Sequence, residues 1–226
     1  MNEPVVVRGL SNREFLESYA QPGRVGLVGG TTLIEKVIRR AERHLDQQEQ
    51  WSLWSHAMLF QGKRIDGHHW VIESDLQIHR KHIQLGVQEN RVSKYYDEET
   101  FPHLAVLDFG LTDEQTAAVL GEGLRMVALH AVYSLRELLG AAFALRHLSH
   151  RPHPNRLARR RSMYCSGFVQ YVLARGGIDL APGVHASHST PEDISRTPVP
   201  HATYWLRRES SVGHAGRSGR RVTRSS

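Results

Sequence analysis

The stretch Ser162-Met163-Tyr164-Cys165-Ser166-Gly167-Phe168-Val169-Gln170-Tyr171-Val172-Leu173-Ala174-Arg175-Gly176-Gly177 holds the chain's single cysteine and reads as one helix. Ser162 has the side chain of an N-cap. Apolar residues recur at Cys165, Phe168, Val169, Val172 and Leu173, and Gly176 and Gly177 end the run. That period buries one face. Cys165 then falls in the first turn, where unpaired backbone N–H groups and the positive end of the helix dipole favour a thiolate over a thiol. The same position also suits a small buried residue on an apolar stripe. A lone cysteine is ambiguous without partners elsewhere in the chain.

Upstream of this helix, Ser149 to Arg161 is rich in Arg, His and Pro and reads as an exposed loop. Before it come two capped helices, Asp113 to His130 after Thr112, and Ser134 to Leu148. Leu104 to Phe109 reads as a strand. The segment 75–102 is polar and irregular, with a short strand around Ile83 to Val87 and a surface loop through Tyr95-Tyr96-Asp97-Glu98-Glu99. At the front of the chain, Ser11 and Glu14 open a short helix to Ala20, and Gln21-Pro22-Gly23 turns into a buried strand, Arg24 to Val28. Gly29-Gly30-Thr31-Thr32 then leads into a helix from Leu33 to Leu45. It lacks the lysine-hydroxyl pair and the third glycine of the phosphate-binding loops.

The partners for the thiol come from a hairpin. Trp54 to Phe60 is a strand, Gln61 to Gly67 carries turn residues, and His69 to Ser74 is a second strand. With an even loop centred on Arg64-Ile65, His56 and Glu73 face each other on one side, with Cβ atoms about 5 Å apart. A carboxylate there fixes the imidazole tautomer and stabilises its charged form. An odd loop would put the two on opposite faces. Beyond the cysteine helix, Ile178 to Gly183 is extended, Thr190-Pro191-Glu192-Asp193-Ile194 starts a short helix with proline at its first position, and His201 to Leu206 forms a last strand.

The totals narrow the possibilities. A chain of 226 residues can bury a core of its own, and one cysteine cannot form an internal disulfide, which fits a reducing compartment. No stretch has the length and apolarity of a membrane span, and the N-terminus lacks the pattern of a standard export signal. The expected location is therefore the cytoplasm, or export by a route without such a signal. The net charge of +6 is concentrated at one end. From residue 207 onward there are six arginines and one glutamate, a balance of +5 that leaves about +1 for the rest. Residues 1–206 read as one domain, and 207–226 as a disordered basic tail able to make weak contact with nucleic acid or an acidic membrane. Histidines cluster at His79 and His82, at His147, His150 and His153, and at His185 and His188. None has the helical or cysteine-bearing pattern of a specific zinc site, so neither a metal nor another cofactor is expected.

The order of these pieces is Gly23-Arg24-Val25-Gly26-Leu27, then Trp54-Ser55-His56, Ile72-Glu73-Ser74, Val132-Tyr133-Ser134, Tyr164-Cys165-Ser166 and Thr190-Pro191-Glu192-Asp193. It resembles the circularly permuted branch of the NlpC/P60 papain-like superfamily, the YiiX/YebB-like cysteine hydrolases, over roughly Gly23 to Pro198. The resemblance implies an α+β, permuted papain-like fold with an antiparallel sheet packed against the cysteine helix and further helices. It implies Cys165 as nucleophile, His56 as general base and acid, and Glu73 as the residue that orients the histidine. Tyr164 and Ser166 are weaker candidates for the oxyanion or substrate side. The implied activity is an amidase- or peptidase-type cysteine hydrolase working through a thioester, on peptidoglycan-type peptides or another acyl-bearing small substrate. A lipid acyl hydrolase or acyltransferase on the same fold is one alternative. A non-catalytic binding module with a basic tail is another. One departure from the family pattern is Gly167, where an acidic residue often follows the Cys-Ser pair.

Overall fold

The computed structural model describes residues 3–31, 52–79, 82–129 and 164–208. The expected helices 33–45 and 134–148, the loop 149–161, Ser162 and the tail beyond residue 208 lie outside the described residues.

The described chain is mixed α and β. Seven strands form one sheet: β1 (Val5–Val7), β2 (Val25–Gly29), β3 (His56–Lys63), β4 (His69–His79), β5 (His82–Arg91), β6 (His103–Asp108) and β7 (Ala202–Leu206). Their spatial order is β1-β7-β6-β2-β3-β4-β5. Every pairing is antiparallel except β1 with β7 at one edge. Among the described residues the α-helices are α1 (Asn12–Tyr19), α2 (Asp113–Ala128), α3 (Cys165–Arg175) and α4 (Pro191–Ser195). α1, α2 and α4 all begin with a reciprocal capping box, from Ser11 to Glu14, Thr112 to Gln115 and Thr190 to Asp193.

β2 sits in the middle and is buried along its whole length. Alternating residues of the central strands feed two cores. On the first face Leu27, Ala57, Leu59, Ile72 and Ala105 pack with Phe168, Val169, Val172 and Leu173 of α3 and with Val119 and Met126 of α2. Gly123 lets α2 approach closely, since a Cβ there would lie 2.9 Å from Ile72 Cδ1. On the second face Val28, Met58, Phe60, Val71 and Val106 pack with Phe15 and Leu16 of α1 and with Val92 and Tyr95.

The segment 75–102 departs from the sequence expectation. β4 continues to His79, β5 occupies residues 82–91, and a 3-10 turn follows at Val92–Tyr95. Leu76, Ile78, Ile83, Leu85 and Val87 do alternate with polar residues, the period of a strand, but the amides and charges between them disguise it. Tyr95, expected in a surface loop, is 1% exposed and belongs to the second core. The edge strand β1 was not expected at all, because three valines are too short to show alternation.

Candidate active site

The hairpin that carries His56 and Glu73 reaches the expected result by another route. Lys63 pairs with His69, enclosing a loop of five residues, Arg64 to His68. By parity alone that odd loop would set His56 and Glu73 on opposite faces. A β-bulge between Phe60 and Gly62 restores the parity. Outside it Gly62 pairs with Trp70, whereas inside it Phe60 pairs with Val71 and Leu59 with Ile72, so Gln61 is the extra residue. Gly62 takes φ +83°, and a Cβ there would meet Pro22 at 2.7 Å. Continuing the inner register sets Met58 opposite Glu73 and Asp75 opposite His56. The histidine and the glutamate are therefore diagonal neighbours on one face, not the directly opposed pair expected.

They are in contact. His56 Nε2 lies 2.5 Å from Glu73 Oε2. Glu73 is fully buried, and each of its oxygens has two partners. Oε1 accepts from Asn90 Nδ2 at 2.7 Å and Lys94 Nζ at 2.9 Å, while Oε2 meets His56 and accepts from the Tyr95 hydroxyl. Lys94 also pairs with Asp75. Burial opposes a charge on Glu73, yet Lys94, His56 and Tyr95 together hold its carboxyl well below the usual range. Burial likewise pushes Tyr95 well above the ordinary phenol value, with Glu73 and Asp75 adding to the effect, so it donates as a neutral hydroxyl. His56 also lies within electrostatic reach of Cys165. Burial alone would lower its pKa, but Cys165 and Glu73 outweigh burial and hold it well above the ordinary imidazole value. With Nε2 committed to Glu73, Nδ1 is the nitrogen left for the thiol.

Cys165 comes to this place from the other side of the sheet. It is the first residue of α3, with Tyr164 at the N-cap position and no side-chain cap. The thiol is therefore nearer the helix end than Ser162 as N-cap would place it. The apolar stripe Phe168, Val169, Val172 and Leu173 fixes α3 on the first face, whereas Glu73 and Tyr95 belong to the second. His56, first residue of β3 and 13% exposed on its side chain, joins the two. Cys165 is 7% exposed.

A hydrogen-bonded brace links the segments that carry His56 and Cys165. Ser52, four residues before His56, donates to Glu192 of α4 at 2.7 Å, and its oxygen also accepts from the Trp54 backbone N–H at 3.0 Å. Just before α4, the Ser189 carbonyl accepts from Ser166 Oγ at 2.7 Å. Ser166, a weak substrate-side candidate, is fully buried with its hydroxyl in this link. Tyr164, the other, is buried beside the thiol. The place of Gly167 is steric: a Cβ there would lie 2.4 Å from the Ala186 carbonyl oxygen, so the turn Ala186–His188 packs on α3 only because this residue has no side chain. An acidic residue would not fit.

Asn90, Lys94, Tyr95 and Glu192 escaped the sequence reading. Asn90 is readable only once the β4–β5 register is known, in which it pairs with Val71, two residues from Glu73. Glu192 stands in the quoted Thr190-Pro191-Glu192-Asp193 motif, but nothing local ties it to Ser52.

A cavity of about 650 Å³ lies on the first face, floored by Leu27, Ala105 and Leu107 and walled by Trp54, Val199 and Trp205. Trp54 is two residues from His56. Ser195, which also lines it, ends the five-residue helix whose approach carries Ser189. Among the described residues there is no group of three or more His, Cys, Asp or Glu placed to hold a metal ion, and no helix long and apolar enough to cross a membrane. In comparisons with protein-family models and with curated protein sequences the chain matches none.

Proposed function

We propose that this protein is a cysteine hydrolase of the amidase or peptidase type, with the permuted papain-like fold, acting through Cys165, His56 and Glu73. The observation that carries the reading is the contact of Glu73 Oε2 with His56 Nε2 at 2.5 Å, with Cys165, the first residue of a helix, within electrostatic reach of the same histidine. Held above the ordinary imidazole value, His56 takes the thiol proton of Cys165. The thiolate attacks an amide or ester carbonyl, and His56 gives its proton to the leaving group as the C–N or C–O bond breaks. The acyl group then rests on sulfur as a thioester. Neutral His56 takes a proton from water, the hydroxide adds to the thioester carbonyl, and the thiolate leaves. The Cys165 backbone N–H, in a first turn without a side-chain cap, is the main-chain donor offered to the oxyanion. Peptidoglycan-type peptides are the first substrates to try.

The test is the rate of iodoacetamide alkylation of Cys165 against pH, in the wild type and in His56→Ala. Fast labelling well below the ordinary thiol pKa of about 8.5, slowed in the variant, supports the reading. Slow labelling that His56→Ala leaves unchanged would sink it.

The cavity favours a second reading. Its floor is apolar and Trp54, two residues from His56, stands in its wall, which suits the hydrocarbon of a lipid acyl ester better than a polar peptide, although Cys165, His56 and Glu73 do not themselves line it. Mass spectrometry of the protein after exposure to phospholipid or to muropeptide separates the two, by the mass of the acyl group left on Cys165.

A further inference from the structure

The hydrolase reading uses one of the four groups that meet Glu73. We propose that Lys94 is a positioning residue of this site: its ammonium, bridging Glu73 and Asp75, holds the buried carboxylate in the one orientation that aligns the His56 ring with Cys165. The inference rests on the hydrolase reading for its role in catalysis, but not for its test.

The geometry argues for a clamp rather than a surface ion pair. A carboxylate offers about four acceptor positions, and Glu73 has all four filled: Asn90 and Lys94 on Oε1, His56 and Tyr95 on Oε2. Lys94 and Tyr95 are adjacent in the 3-10 turn that follows β5, so one short element supplies a donor to each oxygen. The Lys94 ammonium sits over the Tyr95 ring, 5.1 Å from the centroid, and that ring in turn stacks on His56 with centroids 6.1 Å apart. The charges make the same point. Around Glu73 stand His56 from β3, Asp75 on its own strand, Lys94 and Tyr95 from the turn, neutral Asn90 from β5, and Cys165 through His56. Without Lys94, two carboxylates on the same face of β4 would be left with the His56 ring as their one cationic partner among these groups. A buried carboxylate so short of positive charge takes up a proton or turns away, and in either case the His56 contact goes.

The test follows the downfield ¹H resonance of the His56 Nε2–H during acid titration, which reports the bond to Glu73 whether or not the thiol is reactive. The expected result in Lys94→Met is loss of this resonance at a pH higher than in the wild type by about one unit or more, a tenfold change in the proton affinity of Glu73. Lys94→Arg should restore the wild-type titration. Asp75→Asn, which frees the ammonium for Glu73 alone, should move the loss the other way, and it serves if Lys94→Met does not fold. A lysine that merely braces the fold would lower the melting temperature of Lys94→Met and leave the acid midpoint where it was. That outcome, or an unmoved midpoint in Asp75→Asn, overturns the proposal. Failure of the hydrolase reading shows separately, as a wild-type Cys165 that alkylates slowly and ignores His56→Ala.

Discussion

The two faces of the sheet solve different problems. On the first, α3 lies on Leu59 and Ile72 through Phe168, Val169, Val172 and Leu173, and the thiol is placed by close packing of hydrocarbon. On the second, the same strands bury a carboxylate, and the His56 ring is placed by donors aimed at Glu73. Packing is non-directional and sets where a helix lies. A hydrogen-bonded charge is directional and sets how a ring is turned. The difference teaches that position and orientation of one site can be assigned to separate layers, with His56 at the strand end where both act.

That division can be broken most sharply at the bulge. Deleting Gln61 returns the hairpin to the parity of its five-residue loop and turns His56 away from Glu73. Reactivity of Cys165 should fall about 10²- to 10⁴-fold, the usual worth of a general base, as measured by alkylation at neutral pH. Glu73→Gln comes next, with a loss on the order of 10²-fold in the same assay. Its pH signature is distinctive. The depressed folded pKa of Glu73 contributes stability that is present above an unfolded value of about 4.3 and is lost as pH falls through the folded one. Urea midpoints of wild type and Glu73→Gln should therefore differ at pH 7 and converge on acidification.

Phe168→Ala probes the first face and should give the complementary result. Its ring is fully buried between α3 and α2, so the expected cost is about 3–5 kcal/mol in urea unfolding, while the acid midpoint of the Glu73–His56 bond stays unchanged in the folded fraction. Gly167→Ala is the mildest. The Ala186 carbonyl must retreat from the new Cβ, at a cost of about 1–3 kcal/mol by thermal melts, with a measurable but smaller change in Cys165 alkylation.

The sequence by itself determined the cysteine helix, because Phe168, Val169, Val172 and Leu173 repeat at the period of a helix and need no distant information to be read. It determined the caps of α1, α2 and α4 for the same reason, since Ser11, Thr112 and Thr190 act on residues three positions away. The candidate site was legible in part. Cys165, His56 and Glu73 stand out by residue type and by the elements they sit on. Whether His56 and Glu73 share a face depended on Gln61, and a single extra residue in a strand leaves no periodic trace. The clamp of Asn90, Lys94 and Tyr95, and the link from Ser52 to Glu192, join residues 17 to 140 positions apart. Only the tertiary structure decides such contacts, because strand register and the packing of a turn on a sheet are set by the whole core at once, not by the residues that make the bond.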